Sequence, residues 1–334
     1  MKAIVNHEYG PPSVLRLEEV DTPVAGGDEV LVRVLGAAVN PGDWDVLHGT
    51  PYVVRLTFGL RRPRNKVLGL AIAGRVEAVG SNVSEFRPGD AVYAGIGKGG
   101  FAEYACVPVV ALAPKPSNLT FEQAAAVPVA GVTALQALRD IGRVQPGQKV
   151  LINGASGGVG SFAVQIARTF GADVTGVCST TNVDLVRSIG ADHVIDYTQE
   201  DFTRNGQQYD LIFDNVGNRT LSELRRALTP KGTLIPNSNK GSGRWLGSFL
   251  RRAVQALVVS PFVRQRLRPF ASADKREDLV ALKELIESGA VTPVIDRTYP
   301  MAEIAEAMTY YGAGHARGKV VITMNQDEAQ ERGS

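Results

Sequence analysis

The sequence predicts an α/β protein in which a β-rich domain is interrupted by a doubly wound parallel-sheet domain. Three observations predict it. Up to about residue 120 the chain is rich in valine, glycine and proline and carries short alternating runs; from Phe121 strands and helices alternate; near residue 275 the character shifts again. At 334 residues the chain is long for one core and suits two. The shifts divide it into 1–122, 123–270 and a return segment, 271–334, that completes the first domain.

In the first part, Glu29–Val34 and Gly74–Val79 alternate apolar and polar residues and are broken by turn signals such as Arg87-Pro-Gly-Asp90, a barrel-like pattern. Lys149–Asn153 is an apolar strand run. Behind it Val159, Phe162, Ala163, Ile166, Ala167 and Phe170 recur at helical spacing, with Gly171 as the stop. Asp173–Cys178 reads as a strand, Asn182–Ile189 as a short helix stopped by Gly190, His193–Tyr197 and Leu211–Asp214 as strands. A helix is expected through Leu228 and a strand over Thr233–Pro236. Repeated strand-helix units argue for a parallel sheet with helices on both faces. The return segment carries a helix with Leu279, Leu282, Leu285 and Ile286, a segment Thr292–Thr298, a helix from Met301 and a last strand, Lys319–Met324. The final ten residues are polar and are expected to fray.

The segment between Asn153 and Ser161 is the most informative. Gly154, Ala155, Ser156, Gly157, Gly158, Val159 and Gly160 form a glycine turn between a strand and a helix, the arrangement that clamps a dinucleotide. Against G-x-G-x-x-G the first glycine is Ala155, and Gly154 makes the run G-x-x-G-x-x-G. Gly157 must lack a side chain so that backbone N–H groups reach a pyrophosphate, and Gly160 lets the helix pack close on the strand. The helix start supplies partial positive charge and unpaired donors, so no basic side chain is needed.

Bulk properties exclude several classes. A net charge of +2 is too mild for nucleic acid, and two cysteines allow neither a disulfide framework nor a four-cysteine zinc lobe. His7, His48, His193 and His315 do not show ligand spacing with a carboxylate, so no metal site is expected. The start reads as strand and turn rather than a leader, and no apolar run approaches the ~18 residues of a bilayer span, so a cytoplasmic enzyme is expected. Arg55–Lys66 carries five positive charges, but Gly59 and Pro63 favour a solvated loop over a nucleic-acid surface. In 244–268, Trp245, Leu246, Phe249, Leu250, Ala253 and Leu257 form one stripe with Arg251, Arg252 and Gln255 off it. Such a segment can pack on a partner subunit or pocket mouth, serve as a lid for a lipophilic substrate, or touch a membrane surface.

Ala38-Val-Asn-Pro-Gly-Asp-Trp44, Gly74-Arg-Val-Glu-Ala-Val-Gly80, Gly99-Gly-Phe-Ala-Glu-Tyr104, Ala126-Val-Pro128, the glycine turn, Ser188–Tyr197, Phe213-Asp-Asn-Val-Gly217 and Gly318-Lys-Val-Val321 occur in order along nearly the whole chain. Together they resemble the medium-chain dehydrogenase/reductase superfamily, in its zinc-free quinone oxidoreductase-like branch. The resemblance implies a GroES-like catalytic domain, a Rossmann domain, a nicotinamide cofactor and, by family habit, a homodimer. Zinc-dependent members use an early cysteine and a Gly-His-Glu run, which here correspond to Asn40 and to Gly69-Leu70-Ala71. Leucine and alanine cannot ligate zinc, and without a Lewis acid alcohol oxidation loses its main driving term while reduction of a quinone or α,β-unsaturated carbonyl stays feasible.

The resemblance also places Asn40 and Asp43 beside the nicotinamide, Asn215 and Gly217 where that ring packs, Thr133 on the cofactor-facing helix, Lys319 near the tail's approach, and Tyr52 as a proton donor or ring wall. No acid follows the second strand of the parallel sheet, where Ser179, Thr180 and Asn182 can donate to a 2′-phosphate, and the resemblance adds Tyr197 as a phosphate contact. This favours NADPH over NADH. The expected activity is zinc-free, NADPH-dependent reduction of a small hydrophobic quinone or α,β-unsaturated carbonyl. A metal-free alcohol dehydrogenase or carbonyl reductase, and a nucleotide-binding redox sensor with little turnover, stand as alternatives.

Overall fold

The computed structural model describes residues 1–238, 253–256 and 258–324. Packing divides the chain into two units: Met1–Val132 with Asp274–Ser288 and the chain from Pro293 on, and Thr133–Ala273 with Gly289–Thr292. The first boundary falls at Val132 rather than at 122, because the helix Phe121–Ala125 lies on the first unit's sheet. The Cβ that Gly36 lacks would stand 3.0 Å from the Phe121 carbonyl oxygen.

The first unit holds β1 (Lys2–Val5) paired with β2 (Arg16–Glu19), and a seven-stranded sheet. Its strands are β3 (Glu29–Ala38), β4 (Ala71–Val79), β5 (Ala91–Gly95), β6 (Tyr104–Pro108), β7 (Leu112–Pro114), and the late β14 (Ile295–Pro300) and β15 (Lys319–Thr323). The order is β14-β15-β3-β4-β5-β7, with β6 also on β3. Alternation in β3 buries Val30, Val32 and Val34 and leaves Arg33 outside. The return of the tail is literal: β15 runs antiparallel to β3 with Val321 opposite Ala38, which sets Lys319 at the strand end leading to Asn40.

Two helices interrupt this β-rich part where strands and loops were expected. Pro41–His48 follows Asn40 as N-cap, with Pro41 in the first turn and Asp43 at the third position, three start signals in four residues. Val54–Phe58 takes the front of the basic run Arg55–Lys66, so that run is not wholly loop.

The second unit is a six-stranded parallel sheet, β8 (Lys149–Asn153), β9 (Asp173–Cys178), β10 (His193–Asp196), β11 (Tyr209–Asp214), β12 (Leu228–Pro236) and β13 (Arg266–Leu267), in the order β10-β9-β8-β11-β12-β13. The order reverses between β8 and β11, the place where ligands of such sheets bind outside the strand ends. The helix Gly158–Thr169 buries Phe162, Ala163, Ile166 and Ala167 completely, as its spacing requires. The helix expected through Leu228 spans only Leu221–Arg226; Leu228 is a core residue that opens β12, opposite Tyr209.

In the segment 244–268, residues 244–252 and 257 lie outside the described residues, and with them Trp245, Leu246, Phe249, Leu250, Arg251, Arg252 and Leu257. Residues 253–256 are helical, Ala256 is buried in the sheet's core, and Gln255 is exposed. The polar end, 325–334, also lies outside them. Among the described residues no helix is long and apolar enough to cross a membrane.

Candidate active site

In the second unit the glycine turn takes its shape from three different constraints. Gly154 has φ +81°, and the amides of Gly154 and Ala155 both donate to the Val177 carbonyl of β9. Ala155, where the motif has its first glycine, is fully buried against Gly176: a Cβ on Gly176 would come 3.0 Å from that of Ala155. The extra methyl at Ala155 is accommodated because its neighbour has none. A Cβ on Gly160 would stand 2.0 Å from the Gly154 carbonyl oxygen, so the fold itself excludes a side chain there. Gly157 is the opposite case. Its φ is −83°, open to any residue, and a Cβ would meet only the Gly154 oxygen at 3.4 Å. Nothing inside the protein demands this glycine, whereas a phosphate approaching the N–H groups of Gly158, Val159 and Gly160 does.

The turn after β11 stands beside it. A Cβ on Gly154 would lie 2.8 Å from Val216 Cγ2, and the Asn215 amide donates to the Asn153 carbonyl at 3.1 Å. Asn215 Oδ1 accepts from Asn237, and Gly217 takes φ +78° with its N–H on Asp214. Asp214, fully buried, also accepts from Asn153 Nδ2 at 2.8 Å and from the Val216 amide. Asn153 and Asp214 thus lock the two turns together, a role sequence reasoning missed. The signal was available: both are buried polar residues at the carboxyl ends of neighbouring apolar strands. Thr133 is buried, its hydroxyl 2.9 Å from that of Ser272.

At the end of β9 the donors expected to meet a 2′-phosphate are turned inward. Thr180 donates its hydroxyl proton to Asp196, and Asn182 Nδ2 donates to the hydroxyls of Ser156 and Ser179, both at 3.1 Å. The protons of Thr180 and Asn182 are thus engaged inside the fold. Ser179 accepts from Asn182, and Tyr197 is 49% exposed with its amide on the Cys178 carbonyl.

In the first unit the fold gathers Asn40, Asp43 and Lys319, all nearly inaccessible. Asp43 Oδ2 accepts the Asn40 amide and Oδ1 accepts the Gly69 amide, each at 2.9 Å. Gly69 reaches it only with φ +103°, and a Cβ there would strike the Phe101 amide at 2.4 Å. Lys319 Nζ donates to Asn40 Oδ1 at 2.6 Å and to the Val39 carbonyl at 2.9 Å, and Asn40 Nδ2 donates to the Ala38 carbonyl. Burial pushes Asp43 up to about 7 against the pull of its backbone donors and Lys319, and lowers Lys319 to about 8 against the pull of Asp43. The two shifts are opposite in sign, and burial disfavours the charged form of each.

Asp43, Asn40 and Lys319 thus hold one another and the backbone of Val39 and Gly69 in one arrangement. Tyr52 is half-buried just before the helix Val54–Phe58. Its ring covers Arg55, whose guanidinium also stacks on Tyr9, 4.9 and 4.6 Å from the two centroids. Arg55 is thus packed between two rings rather than solvated, and its spacing from Tyr52 is the sequence signal of that pairing.

The glycine turn fits a dinucleotide, since Gly157 leaves open the space a phosphate needs. The residues at the zinc-ligand places do not fit zinc. Asn40 has both ends of its amide committed, Leu70 and Ala71 offer no donor atom, and an ammonium sits in the cluster. His7 and His193 each pair with one surface carboxylate, Glu18 and Asp173.

Residues 26–117 match a model described as alcohol dehydrogenase GroES-like domain, and residues 189–322 one described as zinc-binding dehydrogenase. The chain is 34% identical to a chloroplastic NADPH-dependent alkenal/one oxidoreductase of Arabidopsis thaliana over 96% of its length and 79% of the relative's. It superposes on a quinone oxidoreductase from Coxiella burnetii with a TM-score of 0.85 and 30% identity, covering 97% and 99% of the two chains. A structure titled NAD-dependent alcohol dehydrogenase gives a TM-score of 0.84 at 28% identity, covering 97% and 100%.

Proposed function

Because the chain belongs to the medium-chain dehydrogenase/reductase superfamily, among its quinone oxidoreductase-like members, we propose that it is a zinc-independent NAD(P)H-dependent reductase of small hydrophobic quinones or α,β-unsaturated carbonyls. One observation carries the zinc-free part of this reading. At the place of the metal the chain has an Asn40 amide clamped by the Lys319 ammonium. A dication beside that ammonium would be opposed electrostatically and would find no free oxygen or sulfur on Asn40, Leu70 or Ala71.

When bound, the dinucleotide supplies hydride for an electrophilic carbon or quinone. The chain's share is binding and order. Gly158, Val159 and Gly160 offer N–H groups to the pyrophosphate, and Asp214 fixes the turn that carries Asn215 and Gly217. Asp43 and Lys319 hold Asn40 and Gly69 in one geometry. Since neither oxygen of Asp43 nor the ammonium is turned outward, we assign the proton that follows hydride to solvent water. The reductant is proposed as NADH or NADPH rather than NADPH alone. Two of the four donors expected at a 2′-phosphate, Thr180 and Asn182, have their protons on partners inside the fold, and the chain resembles one protein named for NADPH and one titled for NAD.

Steady-state consumption of both cofactors over ortho-quinones, alkenals, saturated ketones and alcohols tests the reading. Turnover with quinones or alkenals is expected. Preference for saturated ketones or alcohols would put the carbonyl reductase reading in its place, and tight cofactor binding without turnover would favour the redox sensor.

A further inference from the structure

The acid missing after β9 is supplied by the next strand. Asp196 ends β10, opposite Cys178 at the end of β9 in the parallel register. Its carboxylate accepts four hydrogen bonds: from the hydroxyl of Thr180 at 2.5 Å, from the amide and hydroxyl of Thr198, and from Gln199 Nε2. Thr180 stands about 20 residues beyond Gly160, the distance at which such folds read the adenosine ribose. A threonine whose proton points at a carboxylate has only lone pairs left, and with the Thr198 hydroxyl also 3.0 Å from Thr180 Oγ1 what remains for a ligand is an acceptor site. Asn182 has no proton left either, both of its Nδ2 protons being on Ser156 and Ser179. A ribose 2′-hydroxyl can donate to the exposed Thr180 oxygen; a 2′-phosphate, with oxygens and negative charge, cannot. Arg187, on the helix Val183–Ser188, reaches the Asp184 carboxylate at 3.8 Å.

We propose that Asp196 determines cofactor specificity: acting through Thr180 it presents a negative, acceptor-only edge to the ribose, so that the chain uses NADH at least as well as NADPH. The hydrogen bonds onto Asp196, Thr180's first among them, hold its carboxyl below the usual range and keep it ionised. The inference rests on the nicotinamide reading above.

The test is fluorescence titration of NADH and NADPH, with kcat/KM for each, on wild type, Asp196→Asn and Thr180→Val at low and high salt. The wild type is expected to bind NADH as tightly as NADPH or tighter. Asp196→Asn, which keeps one acceptor oxygen for Thr198, is expected to tighten NADPH by on the order of tenfold and to leave NADH within about twofold. Salt should narrow the wild-type preference and leave that of the variant unchanged, a response that a merely structural role would not give. Thr180→Val should weaken NADH more than NADPH; this arm and the wild-type salt response carry the test if Asp196→Asn folds poorly. An unchanged NADPH/NADH ratio in folded Asp196→Asn, or a wild type that prefers NADPH about tenfold, overturns the role of Asp196 alone. Failure of the wild type to bind either nucleotide overturns the nicotinamide reading itself.

Discussion

Replacing Gly157 and Gly160 separately with alanine divides the requirements of the fold from those of the ligand. At Gly160 the new methyl would be 2.0 Å from the Gly154 oxygen, 2.8 Å from its carbonyl carbon and 2.9 Å from Ala155 Cα, all backbone atoms. Relief requires the helix Gly158–Thr169 to move off β8, and overpacking of this kind costs about 1–3 kcal/mol. That corresponds to a fall in Tm of roughly 2–4 °C per kcal/mol in a unit of this size. At Gly157 the methyl meets one oxygen at 3.4 Å, an ordinary contact, and φ is already −83°. Its cost is confined to a poorer N-cap, about 1 kcal/mol or less. Binding should invert the order of effects: the Gly157→Ala methyl occupies the approach to the Gly158, Val159 and Gly160 amides and should weaken NADH and NADPH at least about tenfold, ~1.4 kcal/mol. Thermal unfolding and nucleotide fluorescence on the same preparations measure both. If Gly157→Ala binds nucleotide like wild type, or if it loses as much stability as Gly160→Ala, the phosphate-cradle argument is wrong.

Three further outcomes follow from the first unit. Asp43 has a folded pKa raised to about 7, so between about 4 and 7 the folded chain holds a proton that the unfolded chain has lost, and its contribution to stability declines as pH rises through that window. The Tm difference between wild type and Asp43→Asn should therefore move against wild type from acid to neutral pH; a flat difference would contradict burial as the cause. Lys319→Met leaves Asn40 Oδ1 and the Val39 carbonyl buried without their donor, a loss of about 1–3 kcal/mol. It should lower kcat more than it raises the cofactor KM, and an unaltered kcat would remove Lys319 from the positioning cluster. Tyr52→Phe keeps the ring on Arg55 and should stay within about tenfold of wild-type kcat, whereas loss of a general acid would cost about a hundredfold or more.

How much of this was legible in the sequence depended on the range of the interaction. The strand Lys149–Asn153, the turn and the helix behind it could be read because their signals are local: period, glycine and burial all lie within about twenty residues. The helix Pro41–His48 was missed although Asn40, Pro41 and Asp43 announce it, because its two turns carry little amphipathic contrast inside a β-rich region. The contacts that define the site are longer-ranged. Asn153 meets Asp214 across 61 residues, Lys319 meets Asn40 across 279, and Thr180 meets Asp196 only because β9 and β10 pair in one register. Residue order showed no acid over Gly176–Asn182; only strand pairing showed that β10 brings one. The same lesson applies to Ala155, which spacing marks as a departure from the motif and packing explains by Gly176.

The central claim is hydride transfer without zinc, and activity before and after removal of metal tests it most directly. Protein dialysed against a strong chelator, with its zinc content verified by elemental analysis, is assayed for NADH and NADPH consumption with an ortho-quinone and an alkenal, then again after zinc is added back. The clamped Asn40 amide predicts the same kcat/KM in all three states. Activity that disappears with the metal and returns with zinc would contradict the account.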